Sequence, residues 1–380
     1  MKIVNNFDVK GKRILVRCDF NVPLDKNGRI LDALRIERSI PTIDYLVRNN
    51  AKVILMSHFG NPNGIADKRL SLSLVQEKLT EYLSYSVVKA DDCIGNDIEQ
   101  WIKREMQNSE VLLLENLRFH GGEKDNDLDF AQKLAKLGDI FINNAFSASH
   151  RKHASIVSVP RFLPSGIGFL FEKEIQVLDK ILKEKKQGFV VIIGGAKLKA
   201  KILPIAGLLN KVETLLIGGK VANAFLEEKK QSSPSELKLF FQKIDVFSSK
   251  IKLPLDLAVL NDSVKLCRVN DTDDYTKVFD IGPETIELFS SIIKKAKVVV
   301  WAGPLGLTQD ERFKMGTLEV ANAILNANVF SIIGGGDTIA FLKNEGLLHK
   351  FSHISTGGSA MLEYLGNGTL PGIQAILVQE

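Results

Sequence analysis

The 380-residue chain has few cysteines, no long apolar run and no concentrated block of basic residues. Its three cysteines lie far apart with no close pair, which argues against a zinc site or a disulfide framework and fits a reducing compartment. No apolar stretch approaches the length of a membrane span, and the N-terminus lacks the apolar core of a signal peptide. These absences predict a cytoplasmic protein without a membrane partner.

Two common nucleotide-binding motifs are also absent. The chain contains no G-x-x-x-x-G-K-[ST], and no G-x-G-x-x-G that opens a helix. This excludes a P-loop and disfavours a dinucleotide dehydrogenase. A net charge of +5 without an arginine-rich tract makes nucleic acid a poor expectation, whereas small anionic ligands remain possible.

Short β-branched and leucine-rich runs alternate with longer amphipathic stretches along the chain. This alternation is typical of βα units and predicts parallel sheets covered by helices. The length favours two or three domains. After a break near Pro164 to Gly168, the apolar residues of Phe169 to Leu182 recur at helical spacing. We interpret this stretch as a helix that joins two domains, although an ordinary core helix would show the same period.

In the first half, the predicted strands end in polar side chains. The carboxyl ends of parallel strands share one sheet edge, where ligands bind. An arginine- and histidine-rich cleft there predicts a small polyanionic substrate, because the planar fork of arginine matches carboxylate and phosphate oxygens. Taken singly, each arginine could instead be a solvated surface charge, and each histidine a buried residue of the core. The segments are Arg17 to Asn21, Ser57 to Gly60, Glu115 to Arg118, and Asn143 to Phe146 with His150 and Arg151.

In the second half, the predicted strands end in glycines, at Gly194-Gly195, Gly218-Gly219, Gly303 and Gly334 to Gly336. Such turns let the backbone approach a ligand, and the helix start after Gly336 suits a phosphate. Asp337 fits beside a phosphate if Mg²⁺ links the two, although Asp337-Thr338 could instead be only a helix cap. With Lys197 and Lys201 as positive charge, the sequence predicts a nucleotide slot.

An anion site in one domain and a nucleotide site in another together predict phosphoryl transfer. Such chemistry depends mainly on positioning and on neutralising charge. A joining helix suits it, because bringing the two sites together would exclude water that could otherwise take the phosphoryl group.

Longer motifs narrow this expectation, because they occur in the order of one known family. They are Arg17 to Pro23, Arg35-Ile36, Ser57 to Gly60, Glu115 to Phe119, His150-Arg151, Gly194 to Lys197, Leu253 to Asp256, Asp280 to Pro283, Trp301 with Gly303-Pro304, Gly334 to Thr338, and Ser355 to Gly358. Through these motifs the chain closely resembles phosphoglycerate kinase over nearly its whole length.

The resemblance implies an α/β fold of two doubly wound domains, each a mainly parallel sheet covered by helices, joined by a hinge helix. Residues 1–166 and 367–380 would form the acceptor domain, and residues 167–366 the nucleotide-binding domain including the hinge helix. The implied activity is the glycolytic, reversible transfer of a phosphoryl group from ATP to 3-phosphoglycerate, giving ADP and 1,3-bisphosphoglycerate. It would require Mg²⁺ and usually takes place in a cytosolic monomer.

The resemblance also assigns roles by family position. The acceptor would be held by Asp19, Phe20, Asn21, Arg35, His58, Phe59, Gly60, Asn61, Arg118, His150 and Arg151. The nucleotide would be held by Lys197, Lys201, Gly219, Gln309, Gly335, Gly336, Asp337 and Thr338, with Asp337 as the metal ligand. The catalytic residues would be Arg35, Lys197 and Gly336.

Several site positions depart from the family pattern. Asn61 stands where the family has an arginine, so one cation facing the substrate is expected to be missing. Ser359 replaces the third glycine of the last glycine run, where a strained backbone would be harder to hold. The other departures are Asn144 for aspartate, Ser147 for glycine, Ala200 for aspartate, Ala302 for asparagine, and Gln309 for a ribose-binding glutamate.

Three hypotheses follow. The first is an active kinase, since Arg35, Lys197, Lys201 and Asp337 are retained. The second is a catalytically weakened or inactive nucleotide- or anion-binding protein on the same fold, which the departures would allow. The third, an oxidoreductase on a Rossmann sheet, is least favoured because it would need the missing dinucleotide motif.

Overall fold

The computed structural model describes residues 1–183, 186–230, 235–272 and 274–378. Contacts between Cα atoms divide the chain into two compact units. The first comprises residues 1–177 and 369–380, and the second comprises residues 178–368. The division therefore falls inside the helix that follows Gly168, whereas the resemblance set the boundary just before that helix.

The first unit is built on a six-stranded parallel sheet flanked by helices. Its strands are β1 (Arg13–Arg17), β2 (Lys52–Met56), β3 (Val87–Lys89), β4 (Val111–Leu113), β5 (Ile140–Asn143) and β6 (Ser165–Ile167). The helices are α1 (Leu34–Arg48), α2 (Ser73–Leu83), α3 (Asn96–Arg104), α4 (Gly121–Asp125) and α5 (Leu128–Ala135). Apolar side chains form a buried cluster on each side of the sheet, as expected when helices cover both faces.

The strand order of this sheet, β3-β4-β2-β1-β5-β6, places a topological switch point beside β1. From β1 the chain moves to β2 on one side and later returns to β5 on the other. At the last residue of β1, Arg17 is in register with Met56 of β2 and with Asn143 of β5. The segments that follow these three strands consequently emerge at one edge, which is where ligands bind in open α/β sheets.

Helix α6 (Phe169–Lys183) spans the division between the two units. Its start is tied to the first unit, because the N–H of Phe169 donates to Oγ1 of Thr42 at 3.0 Å. The Thr42 hydroxyl in turn donates to Oδ1 of Asn144 at 3.1 Å. The predicted helix over Phe169 to Leu182 is thus present, and Asn144 helps to anchor its first turn.

The second unit contains one parallel and one antiparallel sheet. The strands are β7 (Phe189–Ile193), β8 (Thr214–Ile217), β9 (Ile251–Lys252), β10 (Asp256–Leu260), β11 (Val264–Arg268), β12 (Val278–Ile281), β13 (Val298–Ala302), β14 (Phe330–Gly334) and β15 (His353–Ser355). The helices are α7 (Leu198–Ile202), α8 (Ile205–Leu209), α9 (Gly219–Lys229), α10 (Ser235–Phe241), α11 (Pro283–Ile293), α12 (Met315–Asn326), α13 (Gly336–Asn344) and α14 (Gly358–Asn367). A last helix, α15 (Pro371–Leu377), belongs to the first unit, where the N–H of Gly372 donates to the carbonyl of Ser149.

The parallel sheet of the second unit has the order β15-β14-β13-β7-β8-β9, so its switch point lies between β7 and β13. The antiparallel sheet, β11-β10-β12, was not predicted from the sequence. Two α/β units with six-stranded parallel sheets confirm the predicted fold class. Among the helices that the structure describes, none combines the length and the apolar character of a membrane span.

Candidate active site

Asp19, just beyond β1, lies at the centre of a group of cationic and polar side chains. Its carboxylate lies 3.2 Å from Nη1 of Arg35 and 3.9 Å from Nδ1 of His58, and it accepts a hydrogen bond from the Ser147 hydroxyl. Burial by itself would raise the pKa of Asp19, but Arg35, His58 and Ser147 together hold that pKa below its ordinary value. Asp19 is therefore a fixed negative charge that keeps the surrounding donors in place.

His58 is a neutral imidazole whose tautomer is set by Arg17. Nη2 of Arg17 lies 3.2 Å from Nδ1 of His58, and both side chains are almost completely buried. Because arginine can only donate, Nδ1 accepts and the ring proton lies on Nε2. Burial, reinforced by nearby arginines, lowers the pKa of His58 well below its ordinary value even though Asp19 opposes this.

A buried carboxylate, Glu123, balances the charge of Arg17. Oε1 of Glu123 lies 3.6 Å from Nη2 of Arg17 and accepts a hydrogen bond from the Ser155 hydroxyl at 2.7 Å. Nε of Arg17 donates to the same hydroxyl at 2.8 Å. Burial alone would raise the pKa of Glu123, but His153, Arg17 and Ser155 lower it below the ordinary value. The network therefore fixes the Arg17 guanidinium that orients His58.

The loop after β2 joins three residues predicted to bind the acceptor. The N–H of Gly60 donates to Oδ1 of Asn21 at 2.9 Å, and the Gly60 carbonyl accepts from Nη1 of Arg118 at 2.6 Å. Arg35 also donates to the Asn21 carbonyl at 2.8 Å. Gly60 has φ +60°, and an added Cβ would approach the Leu70 side chain to 2.6 Å, so the turn requires glycine.

Two arginines at this edge, Arg118 and Arg151, are not held in an ion pair by any described residue. Among the described residues, no carboxylate lies within ion-pair distance of Arg118 or Arg151. Burial, followed by the charge of Arg151, lowers the pKa of Arg118 to about 10, and burial also lowers the pKa of Arg151. Nε of Arg151 lies 3.4 Å from Nε2 of His150, whose pKa burial lowers to about 4. Like charges held together in this way favour binding of an anion.

Phe20 and Phe59 were assigned to the acceptor by family position, but their side chains pack in the hydrophobic core. The N–H of Phe20 donates to the Ser57 hydroxyl, and the N–H of Phe59 donates to Oδ1 of Asn116. Their side chains therefore hold the two loops in place and do not face the cleft.

A cavity in the second unit lies beside the ends of the β7, β8 and β13 strands. Its lining includes three residues predicted to hold the nucleotide, namely Gly219, Gln309 and Asp337. Apolar walls with few polar groups suit a nucleobase. These walls were not predicted, and they include Pro254, Leu257, Phe279, Leu305 and Leu307.

The glycines at the strand ends serve two different purposes. An added Cβ at Gly194 or Gly303 would collide with the backbone of the other loop, and one at Gly358 would lie 2.5 Å from the Gly335 nitrogen. These glycines allow neighbouring strand ends to pack backbone against backbone. At Gly336, by contrast, an added Cβ would meet no atom within 4 Å. The open side of the glycine turn is therefore at the start of α13.

Cationic and acidic groups meet at this turn. Lys201 is 7% exposed, and burial lowers its pKa to about 8, with Asp337 opposing the shift and Lys197 adding to it. An added Cβ at Gly335 would lie 4.0 Å from the Lys201 Nζ atom. The structure thus brings together Lys197, Lys201, Gly335 and Asp337, which the sequence had assigned to one phosphate site.

Helix α13 starts without a side-chain cap. The N-cap residue is Gly335, no side chain accepts a hydrogen bond at that position, and Asp337 lies in the first turn. Thr338 is fully buried, and its hydroxyl accepts from the N–H of Gly303 at 2.9 Å. The alternative that Asp337-Thr338 is only a helix cap is therefore wrong. The N–H groups of the first turn remain available to an anion.

Two aspartates of the family motifs support helices. Asp256 accepts hydrogen bonds from the N–H groups of Glu284 and Thr285, at the start of α11. Asp280 accepts from the N–H of Gly316, in the first turn of α12, and burial raises its pKa to about 7. Asp280 also lines the cavity.

The departures have different consequences. Ser359 lies in α14 and has no positive φ, so the predicted backbone strain there is wrong. Ser147 adds a hydrogen bond to Asp19. Ala302 is fully buried within β13, and Ala200 is exposed on α7. Asn61 is exposed and accepts a hydrogen bond from Nζ of Lys124 at 3.3 Å.

Four residues that contact predicted site residues had no role assigned from the sequence. Three are buried, namely Glu123, Ser147 and Ser155, and the fourth, Lys124, is exposed. They lie far along the chain from Arg17, Asp19 and Asn61, and no periodicity links them. Ser147 alone carried a signal, since it had been noted as a departure.

A set of metal-ligating side chains lies outside both sites. The ligand atoms of Asp92, Cys93 and His120 lie within 4.8 Å of one another. Oδ1 of Asp92 is already 2.6 Å from Nε2 of His120, and burial raises the pKa of the Cys93 thiol well above its ordinary value. These contacts satisfy the three groups internally, and we assign no metal to them.

Known proteins resemble this chain in sequence and in fold. A sequence model of the family described as Phosphoglycerate kinase matches residues 4–368. The chain belongs to the phosphoglycerate kinase family. Among its relatives, the phosphoglycerate kinase of Pelotomaculum thermopropionicum is 41% identical over 391 residues, covering 99% of both proteins. That of Dictyoglomus turgidum is 44% identical over 384 residues, covering 97% of this chain and 96% of the relative.

Solved structures of phosphoglycerate kinases agree with this family assignment. The structure from Coxiella burnetii matches with a TM-score of 0.79 and 31% identity, covering 100% of this chain and 99% of that chain. The structure from Pyrococcus horikoshii OT3 matches with a TM-score of 0.84 and 30% identity, with the same coverage. The predicted family, fold and enzyme class are confirmed, and the chain is a glycolytic kinase of the phosphoglycerate kinase type.

Proposed function

We propose that the protein transfers a phosphoryl group reversibly between ATP and 3-phosphoglycerate, giving ADP and 1,3-bisphosphoglycerate, in a Mg²⁺-dependent reaction. The observation that carries this proposal is the edge of the first sheet, where Arg118 and Arg151 lie near each other and, within the described part of the chain, neither forms an ion pair. An acceptor with both a carboxylate and a phosphate can form a direct ion pair with each of these side chains.

The acceptor residues form a set of oriented donors. Arg118 and Arg151 bind the acceptor's anionic groups, and His58 donates from Nε2 because Arg17 occupies Nδ1. Asp19 and Asn21 hold Arg35 through contacts of 3.2 Å and 2.8 Å, and Asn21 also fixes Gly60. A carboxylate acceptor needs no general base, so these residues act by positioning and by charge.

The nucleotide residues lie in the second unit. The apolar walls of the cavity take the base, and Gln309 hydrogen-bonds the ribose. The phosphate chain lies at the start of α13, where uncapped N–H groups and the positive end of the helix favour an anion. Lys201 contributes charge from beneath the glycine turn, and Lys197 contributes charge from the loop after β7.

The residues at this turn fit a magnesium ion held by the nucleotide. Asp337 lines the cavity, and the space beside Gly336 is open. Mg²⁺ in nucleotide sites is usually held by one or two carboxylates together with phosphate oxygens and water, so a single aspartate is sufficient. When bound, the ion would neutralise charge on the phosphate oxygens.

Arg35 and Lys197 stabilise the phosphoryl group during its transfer. During transfer, negative charge spreads over the equatorial oxygens of the phosphoryl group, and preorganised cations stabilise that charge without rearranging. The Asp19 carboxylate keeps Arg35 oriented before the substrate arrives. N–H groups at Gly336 contribute in the same way from the start of α13.

A coupled assay with 3-phosphoglycerate and MgATP tests the proposal. We expect turnover by the wild type and its loss in Asp337→Ala. Asp262→Ala is the matched control, because Asp262 is an exposed aspartate in the turn between β10 and β11 of the same unit. If the wild type binds MgADP but does not turn over 3-phosphoglycerate, the chain is a binding protein on a kinase fold.

The cellular setting is inferred from family membership and from the free cysteines. We infer that the enzyme works in the cytoplasm as a monomer. Cys18, Cys93 and Cys267 are free thiols, which suits a reducing compartment. Sedimentation or size-exclusion measurements on the purified chain would test the oligomeric state.

A further inference from the structure

Lys124 presents an ammonium group that amide oxygens hold but do not neutralise. Its Nζ lies 3.0 Å from Oδ1 of Asn63 and 3.3 Å from Oδ1 of Asn61. Over the described part of the chain, no carboxylate lies within ion-pair distance of Lys124. By contrast, Lys103 and Lys133 each pair with an acid on their own helix. The full charge of Lys124 is thus available to a ligand.

The loop that carries Asn61 and Asn63 is tied to the acceptor cleft at both ends. At its start, Gly60 donates to Asn21 and accepts from Arg118. At its end, the N–H of Gly64 donates to the Arg118 carbonyl at 3.0 Å. The amides that hold Lys124 therefore follow directly on groups that bind the acceptor, which puts the ammonium at the rim of the cleft.

We propose that Lys124 is a substrate-binding residue that supplies the cation missing at position 61. Its ligand is the phosphate monoester or carboxylate of the acceptor, so the proposal rests on the proposed function. A lysine can serve there because its compact charge on a flexible stem needs no fixed bidentate geometry. Arg17 and Arg35 already have Glu123 and Asp19 as counter-ions, whereas Lys124 adds uncompensated charge.

If Lys124 had a purely structural role, its variants would behave differently. Lys124 could hold the loop only by donating hydrogen bonds to the two asparagines. Glutamine at position 124 can still donate to an amide oxygen but carries no charge. Arginine keeps the charge. Lys124→Gln and Lys124→Arg therefore separate charge from loop anchoring.

The experiment measures KM for 3-phosphoglycerate, KM for MgATP and kcat, together with calorimetric affinity for 3-phosphoglycerate. We expect Lys124→Gln to raise KM and Kd for 3-phosphoglycerate about three- to tenfold, as loss of an exposed charged contact should. The values of kcat and KM for MgATP should stay within about twofold, because the contact is made equally before and during transfer. Lys124→Arg should restore affinity, and salt should reduce the difference.

The control is Lys133→Gln, which removes an exposed lysine of α5 and should leave all constants at wild-type values. If the wild type turns over 3-phosphoglycerate and Lys124→Gln matches it, Lys124 is not a substrate residue, while the proposed function stands. If the wild type does not turn over but binds 3-phosphoglycerate in a Lys124-dependent manner, the proposed function fails and the binding role stands. Absence of both turnover and binding would overturn both.

Discussion

Nη2 of Arg17 lies 3.2 Å from Nδ1 of His58, beneath the surface of the cleft. The contact assigns the imidazole proton to Nε2. The buried Glu123 carboxylate balances the charge of the buried Arg17 guanidinium. A histidine so placed cannot become cationic without meeting Arg17 at close range. The acceptor cleft thus depends on the Arg17–Glu123 ion pair, which is buried and does not contact the substrate.

Removing the buried carboxylate should therefore cost stability. Glu123→Gln leaves the Arg17 guanidinium without a counter-ion, and losing one partner of a buried pair typically costs about 3 kcal/mol or more. We expect the free energy of unfolding in urea to fall by about that amount. The matched control is Asp129→Asn, which breaks an exposed pair with Lys133 and should cost under about 1 kcal/mol. Equal losses in the two variants would show that Glu123 does not neutralise Arg17.

Acid should destabilise the protein through its buried histidines. Burial lowers the pKa of His150 to about 4, below its ordinary value of 6.5, so between these values the unfolded chain binds more protons than the folded one. Stability then falls as pH decreases from about 6.5 towards 4, by up to about 1.4 kcal/mol per pH unit for each such histidine. His58 acts in the same sense.

Urea unfolding at several pH values would measure this slope. His150→Gln should flatten it, whereas His349→Gln, at an exposed position, should leave it unchanged. Below pH 3.8 a further loss is expected from Asp19, because a carboxylate with a lowered pKa contributes stability that disappears as pH falls. An unchanged slope in His150→Gln would mean that His150 titrates alike in the folded and unfolded chain.

The sequence predicted the elements whose signal is local. Apolar runs that end in polar or glycine residues located the β1, β2, β4, β5, β7, β8, β13 and β14 strands, and the sharing of one sheet edge predicted which loops would meet. Asp19, Asn21, His58 and Gly60 converge as expected. The helix over Phe169 to Leu182 followed from its period.

The remaining features arise from contacts that the sequence does not signal. The Glu123 carboxylate on α4 meets Arg17 at the end of β1 only in the folded chain. Phe20 and Phe59 belong to motifs that face the cleft, yet the sheet edge turns their rings inward. Ser359 was expected to strain the backbone, but the chain has already entered α14 there, where serine is unstrained.

Asp337→Ala should separate metal-dependent from metal-independent nucleotide binding. The change removes a ligand oxygen from an exposed side chain in the first turn of α13 and no core packing, so the melting temperature should be nearly unchanged. We expect affinity for MgADP to fall by about tenfold or more, the scale of one charged contact, while metal-free ADP binding changes little. Calorimetry with and without Mg²⁺ measures both. Unaltered MgADP affinity would remove Asp337 from the metal site.

Arg35→Ala and Lys197→Ala should lower kcat more than they raise KM. Both cations are proposed to act on charge that develops during transfer, and losing one such donor typically costs about 10²- to 10³-fold. The controls are Arg48→Ala, an exposed arginine of α1, and Lys199→Ala, an exposed lysine of α7. Steady-state kinetics would reject the assigned roles if KM alone rose.

Position 61 tests how far the acceptor cleft depends on its cations. Asn61→Arg adds a charge-assisted contact to the substrate, and such contacts contribute roughly 1.5 to 3 kcal/mol. Where no other cation competes for the same anion, KM for 3-phosphoglycerate should therefore fall by on the order of tenfold. In the wild type, Lys124 already lies at Asn61, and two adjacent positive charges repel each other in the free enzyme.

We therefore expect a smaller gain, of about threefold, from Asn61→Arg in the wild type, and the full gain in Lys124→Gln. KM for MgATP should stay constant in all four proteins, because position 61 belongs to the acceptor unit. Equal gains in both backgrounds would show that the two positions do not share one anion. A higher KM in Asn61→Arg would show that the loop from Gly60 to Gly64 has adapted to asparagine, with Lys124 as its cation. The four KM values thus distinguish a weakened acceptor site from a rearranged one.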